Sequence, residues 1–216
     1  MGNNGLEKKI YELEARITRS KAFIEIMNLQ SRFNYYLDSN QNDSITSELF
    51  AQKDPQVSCE LCDSGVYIGL DKIKEFWKAR QDIQSERGYM GTVMLKTPHV
   101  RVSEDGKTAT GMWHAFGANS LYAMPYPCDR EKLTAIWFMG KYYNKYVLED
   151  GKWKILSMRL IYHFHTPFEE GWIRQSDAYR LAPPPSVCRP TEPGFMSYMY
   201  HPHGDNEFLS KIPEGV

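Results

Sequence analysis

The sequence lacks an excess of charge of either sign and lacks any long hydrophobic run. Its 26 Lys and Arg residues against 27 Asp and Glu residues give a net charge of −1, which argues against a nucleic-acid partner. No apolar run approaches the ~18 residues of a transmembrane helix, and the N-terminus is rich in Glu and Lys, unlike a signal peptide. We therefore expect no membrane partner and a cytoplasmic location.

Cysteine is also scarce, with four residues in 216. Only Cys59 and Cys62 are close, and they fall in a predicted strand, where this odd spacing sends the two side chains to opposite faces. Neither a second cysteine pair nor a nearby histidine completes a tetrahedral zinc set. We expect ordinary buried thiols, no structural disulfide and no metal site.

The content of 42% hydrophobic and 25% charged residues is typical of a globular chain. Within residues 1–19, Leu6, Ile10, Leu13 and Ile17 recur at steps of four, three and four, which predicts a two-heptad amphipathic helix. It is expected to pack on the domain or on a partner subunit. The segment Thr18–Ser20 is expected to end it, with Ser20 as the N-cap of the next helix.

Helices and then long strands are predicted between residues 20 and 165. The helices are 21–38, 44–51 and 70–80, the early hairpin is 57–68, and the long strands are 89–102, 108–118, 133–148 and 153–164. This order predicts an α+β fold in which one curved antiparallel sheet holds helices on its concave face.

The last segment, 166–216, carries eight of the twelve prolines together with many aromatic residues. A disordered tail would be poor in aromatics. We expect an ordered, extended segment that packs on the domain or on a neighbouring subunit.

Several local motifs follow one another in a characteristic order. They are Ile26-x-x-Leu29-x-x-x-Phe33-x-x-x-Leu37-Asp38, Tyr67-x-Gly69-x-x-x-Ile73-x-x-Phe76-Trp77, Thr97-Pro98-His99-Val100-x-Val102, Thr108-Ala109-Thr110-Gly111-x-Trp113, Gly140-Lys141-Tyr142-x-Asn144-Lys145-Tyr146 and Gly151-Lys152-Trp153-Lys154-Ile155. In this order the sequence resembles the SnoaL-like branch of the nuclear transport factor 2 superfamily. Within that branch it is most similar to lyases of the bile-acid 7-alpha-dehydratase and scytalone dehydratase type.

The resemblance implies a cone-shaped, cystatin-like α+β barrel with a mostly apolar pocket and no cofactor. In these lyases a Tyr, an Asp and a His remove a proton and expel a hydroxyl group as water. The acidic position falls on Asp38. Phe33 stands at the family's Tyr position and Val93 at its strand His position, so the acid–base set is incomplete.

Asp38 is therefore the predicted base, because burial at the mouth of an apolar cone would raise its pKa. Its predicted acid partner is His114 or a tyrosine, of which Tyr36 is the candidate. Strand alternation places His114 on the face opposite Trp113. His114 therefore points outward if the small residues of the strand line the cone. A bulge at Gly117 would reverse the two faces.

The predicted substrate contacts are a mixture of apolar and polar side chains: Phe33, Val93, Trp113, Tyr143, Arg159 and His163. Without a bulge only one of Tyr143 and Asn144 can line the cavity. By alternation His163 and His165 share a face with Arg159, as either an anion-binding set or groups paired at a solvated edge.

Two functions remain open. The first is a cofactor-independent lyase or isomerase acting on a small hydrophobic, ring-bearing hydroxy or carbonyl compound. The alternative is a non-catalytic ligand-binding or assembly module on the same fold. In either case the apolar surface of the first helix, the sheet and the tail predicts a homo-oligomer, a dimer or a trimer.

Overall fold

The computed structural model describes residues 3–61, 64–85, 87–122, 133–174, 188–194, 200 and 202–204. Helix α1 (Asn3–Asp38) is followed by the short helix α2 (Asn42–Ser44), which continues as a π-helical turn (Ile45–Leu49), and by α3 (Leu70–Gln84) after the first hairpin. The strands are β1 (Ser58–Leu61), β2 (Val66–Ile68), β3 (Met90–Val102), β4 (Thr108–Tyr122), β5 (Leu133–Glu149) and β6 (Lys152–Pro167). None of the described helices is long and apolar enough to span a bilayer.

One six-stranded sheet organises the fold, with the strand order β2-β1-β6-β5-β4-β3. All neighbours pair antiparallel except β1 and β6, which pair parallel. The helices α1 and α3 pack against this sheet. The predicted α+β architecture is confirmed.

The predicted interruption of the first helix is wrong. Helix α1 runs without a break for 36 residues, through Thr18, Arg19 and Ser20. Ser and Thr are only weakly unfavourable inside a helix, and the buried positions from Ala22 to Phe33 hold the C-terminal half on the domain. Residues 5–14 of this helix are exposed on all sides.

The narrow end of the cone is filled by aromatic side chains. Phe33 of α1 is fully buried and packs edge-to-face on Trp77 of α3 and Tyr142 of β5, with ring centroids 5.7 and 6.0 Å away. Trp113 of β4 packs in the same manner on Tyr146, at 5.9 Å. Such contacts between T-shaped rings stabilise the core beyond their buried area.

Described residues of the C-terminal segment lie on the protein's own sheet. The backbone of Val66 in β2 donates to Glu192 O at 3.0 Å and accepts from Thr191 N at 2.8 Å. Cys188 is buried, and Tyr200 N donates to His163 O of β6 at 2.7 Å. Cys59 and Cys188 are unbridged thiols. Cys62 and Cys128 lie outside the described residues.

Candidate active site

Asp38 is the last residue of α1 and stands at the mouth of the cone. Thr92 Oγ1 of β3 donates a hydrogen bond to Asp38 Oδ2 at 3.2 Å, and the Val93 backbone donates a second. Partial burial nevertheless raises the pKa of Asp38 above its ordinary value, against the lowering effect of these two hydrogen bonds. Among the described residues no cation forms an ion pair with this carboxyl group.

The pocket beside Asp38 is small and open to solvent. Its cavity volume is about 30 Å³, which is room for about two water molecules. Its wall combines apolar, aromatic and polar side chains: Leu37, Asp38, Leu61, Arg80, Tyr89, Gly91, Thr92, Val93, Asn119, Phe138, Tyr142, Leu160 and Tyr162.

Glycine at position 91 makes room for two polar groups of this wall. A Cβ atom there would lie 2.3 Å from the Tyr89 hydroxyl oxygen and 3.1 Å from Asn119 Oδ1. Gln84 Nε2 donates weakly to the Tyr89 hydroxyl at 3.4 Å, and Gln84 is itself held by Asn42 Nδ2 at 2.6 Å. The Tyr89 hydroxyl therefore keeps its own proton for donation to another acceptor.

Arg80 contributes a cation from α3. Its Nε atom is buried, and among the described residues it meets no hydrogen-bond acceptor. The guanidinium carbon lies 6.0 Å from the centre of the Phe76 ring, a distance that permits a weak cation–π contact. An Arg donor that is buried and unsatisfied in a pocket wall is well suited to an oxyanion or carbonyl oxygen of a ligand.

Aromatic side chains close the pocket from below. Phe138 and Tyr162 line it, with ring centroids 5.2 Å apart, and the His165 ring stacks on Tyr162 at 5.0 Å. The pocket thus ends on flat apolar surfaces.

The structure brings only part of the predicted site together. Asp38 and Val93 line the pocket, and Phe33 lies beneath it against Tyr142. Trp113 is on the inner face but deeper in the core. Tyr36 points away from the pocket wall, and its hydroxyl group donates to Glu48 Oε2 at 2.7 Å, a hydrogen bond that raises the pKa of Tyr36.

His114 is on the outer face of the sheet. The pairing of β4 with β5 is regular throughout, including Gly117 opposite Phe138, so no bulge at Gly117 reverses the faces. The His114 ring instead contacts Thr97 Oγ1 through Nδ1 at 2.5 Å and lies 6.4 Å from the His163 ring. Burial and the nearby Lys141 lower the pKa of His114. The structure does not bring His114 together with Asp38.

The remaining predicted contacts are also on the outer face. Tyr143 stands opposite Arg159, and Arg159 Nε donates to the buried carboxylate of Glu60. His163 contacts His114 across the sheet. Of the pair Tyr143 and Asn144, it is Asn144 that points inward, where its amide donates to Gln30 Oε1 at 2.9 Å.

His165 does not share a face with His163, contrary to the simple alternation. The register of β5 and β6 shifts between Met139, which pairs with Phe164, and Gly140, which pairs with Tyr162. His163 is the extra residue of this bulge, and an extra residue reverses the facing of everything after it. His165 therefore returns to the inner face beside Phe138.

Arg80, Tyr89 and Asn119 are wall residues that the sequence reasoning missed. Arg80 carries a recognisable signal, since it follows the buried Phe76 and Trp77 by four and three residues and so extends their face of the helix. Asn119 lies six residues after Trp113 in β4, an even number, so strand alternation places the two side chains on the same inner face. The position of Tyr89 depends on the space above Gly91, for which the sequence has no pattern.

Comparisons with known proteins agree with this architecture. A family model described as SnoaL-like domain matches residues 19–159. A search of curated proteins gives no significant match. The solved structure of a candidate scytalone dehydratase from Novosphingobium aromaticivorans is 15% identical, with a TM-score of 0.58, over 78% of this chain and 96% of that chain.

Two further solved structures share the fold. A hexachlorocyclohexane dehydrochlorinase, LinA type 2, is 16% identical with a TM-score of 0.58, over 71% of this chain and 93% of its own. A nuclear transport factor 2-like superfamily protein from Salmonella enterica serovar Typhimurium is 17% identical with a TM-score of 0.55, over 71% and 99%. The chain therefore belongs to the SnoaL-like domain family, and it has the fold of the nuclear transport factor 2-like protein.

Proposed function

We propose that the protein is a cofactor-independent lyase or isomerase whose base is Asp38. The observation that carries this proposal is a carboxyl group in the pocket wall that has a raised pKa and no cationic partner among the described residues. A carboxylate with a raised pKa is a stronger base than one in water.

The wall offers a role for each neighbour of Asp38. In a dehydration, Asp38 removes a proton from the carbon next to a carbonyl group while the carbonyl oxygen accepts hydrogen bonds from Arg80. As the carbon–carbon double bond forms, the β-carbon–oxygen bond breaks, and the departing hydroxyl takes the Tyr89 proton and leaves as water. Asp38 then releases its proton to solvent, and the Tyr89 oxygen takes up a proton from solvent, so both groups return to their starting states. In an isomerisation Asp38 returns its proton to a different carbon.

The substrate is proposed to be a small hydrophobic molecule with a ring and a hydroxy or carbonyl group. Phe138, Tyr142 and Tyr162 provide flat apolar surfaces for the ring, and Asp38 and Arg80 provide polar groups at the mouth. Because the cavity volume is only about 30 Å³, a ring must either lie at the open mouth of the pocket or displace these aromatic side chains. Both arrangements favour a compact substrate.

The alternative of a non-catalytic binding module has its own supporting observation. Phe33 has no hydroxyl group and is completely buried, and Val93 brings no titratable group to the wall. A cone that is filled by side chains and lacks two of the family's three acid–base groups is compatible with ligand binding alone.

The two functions are distinguished by proton transfer. Purified protein is incubated in D₂O with 3-hydroxycyclohexanone and aryl-substituted analogues, while ultraviolet absorbance follows conjugated enone and NMR follows deuterium incorporation next to the carbonyl. We expect one or both signals from the wild type and from Asp82→Asn, an exposed carboxylate outside the pocket, and neither from Asp38→Asn. Binding with no exchange in any variant would support the binding module.

We also propose that the protein is a homo-oligomer, a dimer or a trimer. The exposed apolar side chains of α1 and those at one end of the sheet, among them Met90, Met94 and Leu133, are the supporting observation.

A further inference from the structure

The exposed side of α1 carries an apolar seam with no partner in the part of the chain that the structure describes. Its five members are between 47% and 66% exposed: Leu6, Ile10, Leu13, Ile17 and Ile24. The residues that hold α1 on the domain are a separate set, Ala22, Ile26, Leu29 and Phe33, and all of these are buried. On a helix with 3.6 residues per turn the two sets lie on opposite sides. The described domain therefore leaves the seam uncovered.

The seam follows a heptad repeat, and its five apolar side chains are those typical of a two-stranded coiled coil. The steps of four, three and four place Leu6 and Leu13 at the d positions and Ile10, Ile17 and Ile24 at the a positions. Isoleucine at a with leucine at d favours a parallel dimer over higher oligomers. Ser20, at d, is the single polar residue in this run.

The charges beside the seam select the orientation of the two helices. In a parallel pair, Lys9 at a g position faces Glu14 at the following e position of the other helix, and this attraction occurs twice by symmetry. Arg16 would face Lys21, but Lys21 has a carboxylate on its own helix, with Nζ 3.8 Å from Glu25 Oε1. In an antiparallel pair, residues at e positions would instead face e positions of the other helix, and residues at g positions would face g positions. Glu14 would then face Glu7, and Lys9 would face Arg16.

We propose that α1 forms a parallel two-stranded coiled coil with a second copy of this chain, through Leu6, Ile10, Leu13, Ile17 and Ile24. Three heptads are marginal as an isolated peptide. Here the helix is already nucleated, because one face of its C-terminal half is buried against the domain. The proposal specifies the homo-oligomer proposed above and is independent of the reaction at Asp38.

Multi-angle light scattering of the full chain tests the stoichiometry. We expect a mass of about 50 kDa, twice the 25.1 kDa of one chain, and about 25 kDa for Ile10→Asp/Leu13→Asp. Tyr11→Asp is the matched control, because Tyr11 is 74% exposed but off the seam, and it should remain a dimer. A monomeric wild type, a trimer, or a dimer that survives the double substitution would overturn the proposal.

Disulfide trapping tests the orientation. In a parallel pair the two Leu6 positions face each other, so Leu6→Cys should form a covalent dimer under mild oxidation, while Tyr11→Cys and the wild type should not. Cross-linking through Tyr11→Cys alone would contradict the proposed seam. Proton exchange by the Ile10→Asp/Leu13→Asp variant should equal that of the wild type, whereas Asp38→Asn should dimerise normally, so failure of one proposal is distinguishable from failure of the other.

Discussion

Replacing Asp38 by asparagine should remove activity without lowering stability. Burial raises the pKa of this carboxyl group, which means that the folded protein disfavours the ionised form. A group with a raised folded-state pKa contributes stability below its unfolded pKa, near 3.8, and that stability is lost as pH rises through the folded-state pKa. At neutral pH the Asp38 carboxylate is therefore unfavourable for folding, and the neutral amide removes this effect.

The expected size of each effect follows from the contacts of the side chain. The amide oxygen of the introduced asparagine can still accept the hydrogen bonds of Thr92 and the Val93 backbone, and position 38 is on the surface. We expect the melting temperature to stay the same or to rise slightly. Loss of a general base lowers turnover by roughly 10² to 10⁴-fold. For the wild type, kcat/KM should fall tenfold per pH unit below a pKa that is higher than 3.8.

Thermal melts and pH–rate profiles of wild type, Asp38→Asn and Asp82→Asn measure these quantities together. The reasoning is refuted if Asp38→Asn keeps more than about a tenth of wild-type turnover, since loss of the residue that supplies the base must slow the reaction by more than that. A fall of melting temperature at neutral pH would show that the ionised carboxylate stabilises the fold, contrary to the direction that its burial predicts.

Three other substitutions address the pocket wall and the outer face. Arg80→Gln should raise KM about tenfold or more at little cost in stability. Lys78 lies outside the wall, so Lys78→Gln should change neither KM nor stability. Equal kinetics for both variants would show that Arg80 does not contact the substrate. Gly91→Ala should lower kcat/KM, because the new methyl group displaces the Tyr89 hydroxyl, and an unchanged rate would show that this hydroxyl is not used. Burial, followed by Lys141 and then His114, lowers the pKa of His163 from 6.5 to about 4. The unfolded chain therefore takes up the proton first, and the free energy of unfolding should fall by up to about 3 kcal/mol as pH drops from 6.5 to 4; urea titrations of His163→Gln should show a flatter dependence.

The sequence was sufficient for the fold because the fold depends on repeated patterns. The alternation of β4 placed His114 opposite Trp113, and the structure has these two side chains on different faces. The spacing of Ile26, Leu29 and Phe33 indicated the buried face of α1. Which face of a helix or strand is buried depends on the pattern of many residues, so a single unusual residue does not change the prediction.

The site was less predictable because it depends on single irregularities. One bulge at His163 moves His165 from the outer face to the inner face, and no sequence pattern announces a bulge. The absence of a side chain at Gly91 creates the space for Tyr89. Arg80 and Asp38 become neighbours of one pocket only through the packing of α3 and α1 on the sheet.

Helix α1 carries both the proposed base and the proposed dimer seam, yet it should transmit no coupling between them. Its C-terminal end carries the partial negative charge of the helix dipole near Asp38, and this charge disfavours the carboxylate in the same direction as burial does. That effect is confined to the last turn, and Asp38 is 28 residues, about 42 Å of helix, from Ile10. Dimerisation at Ile10 therefore leaves the charge around Asp38 unchanged. The seam variant should show the wild-type pH–rate profile, and a shifted profile would mean that the partner subunit contributes a charge to the site.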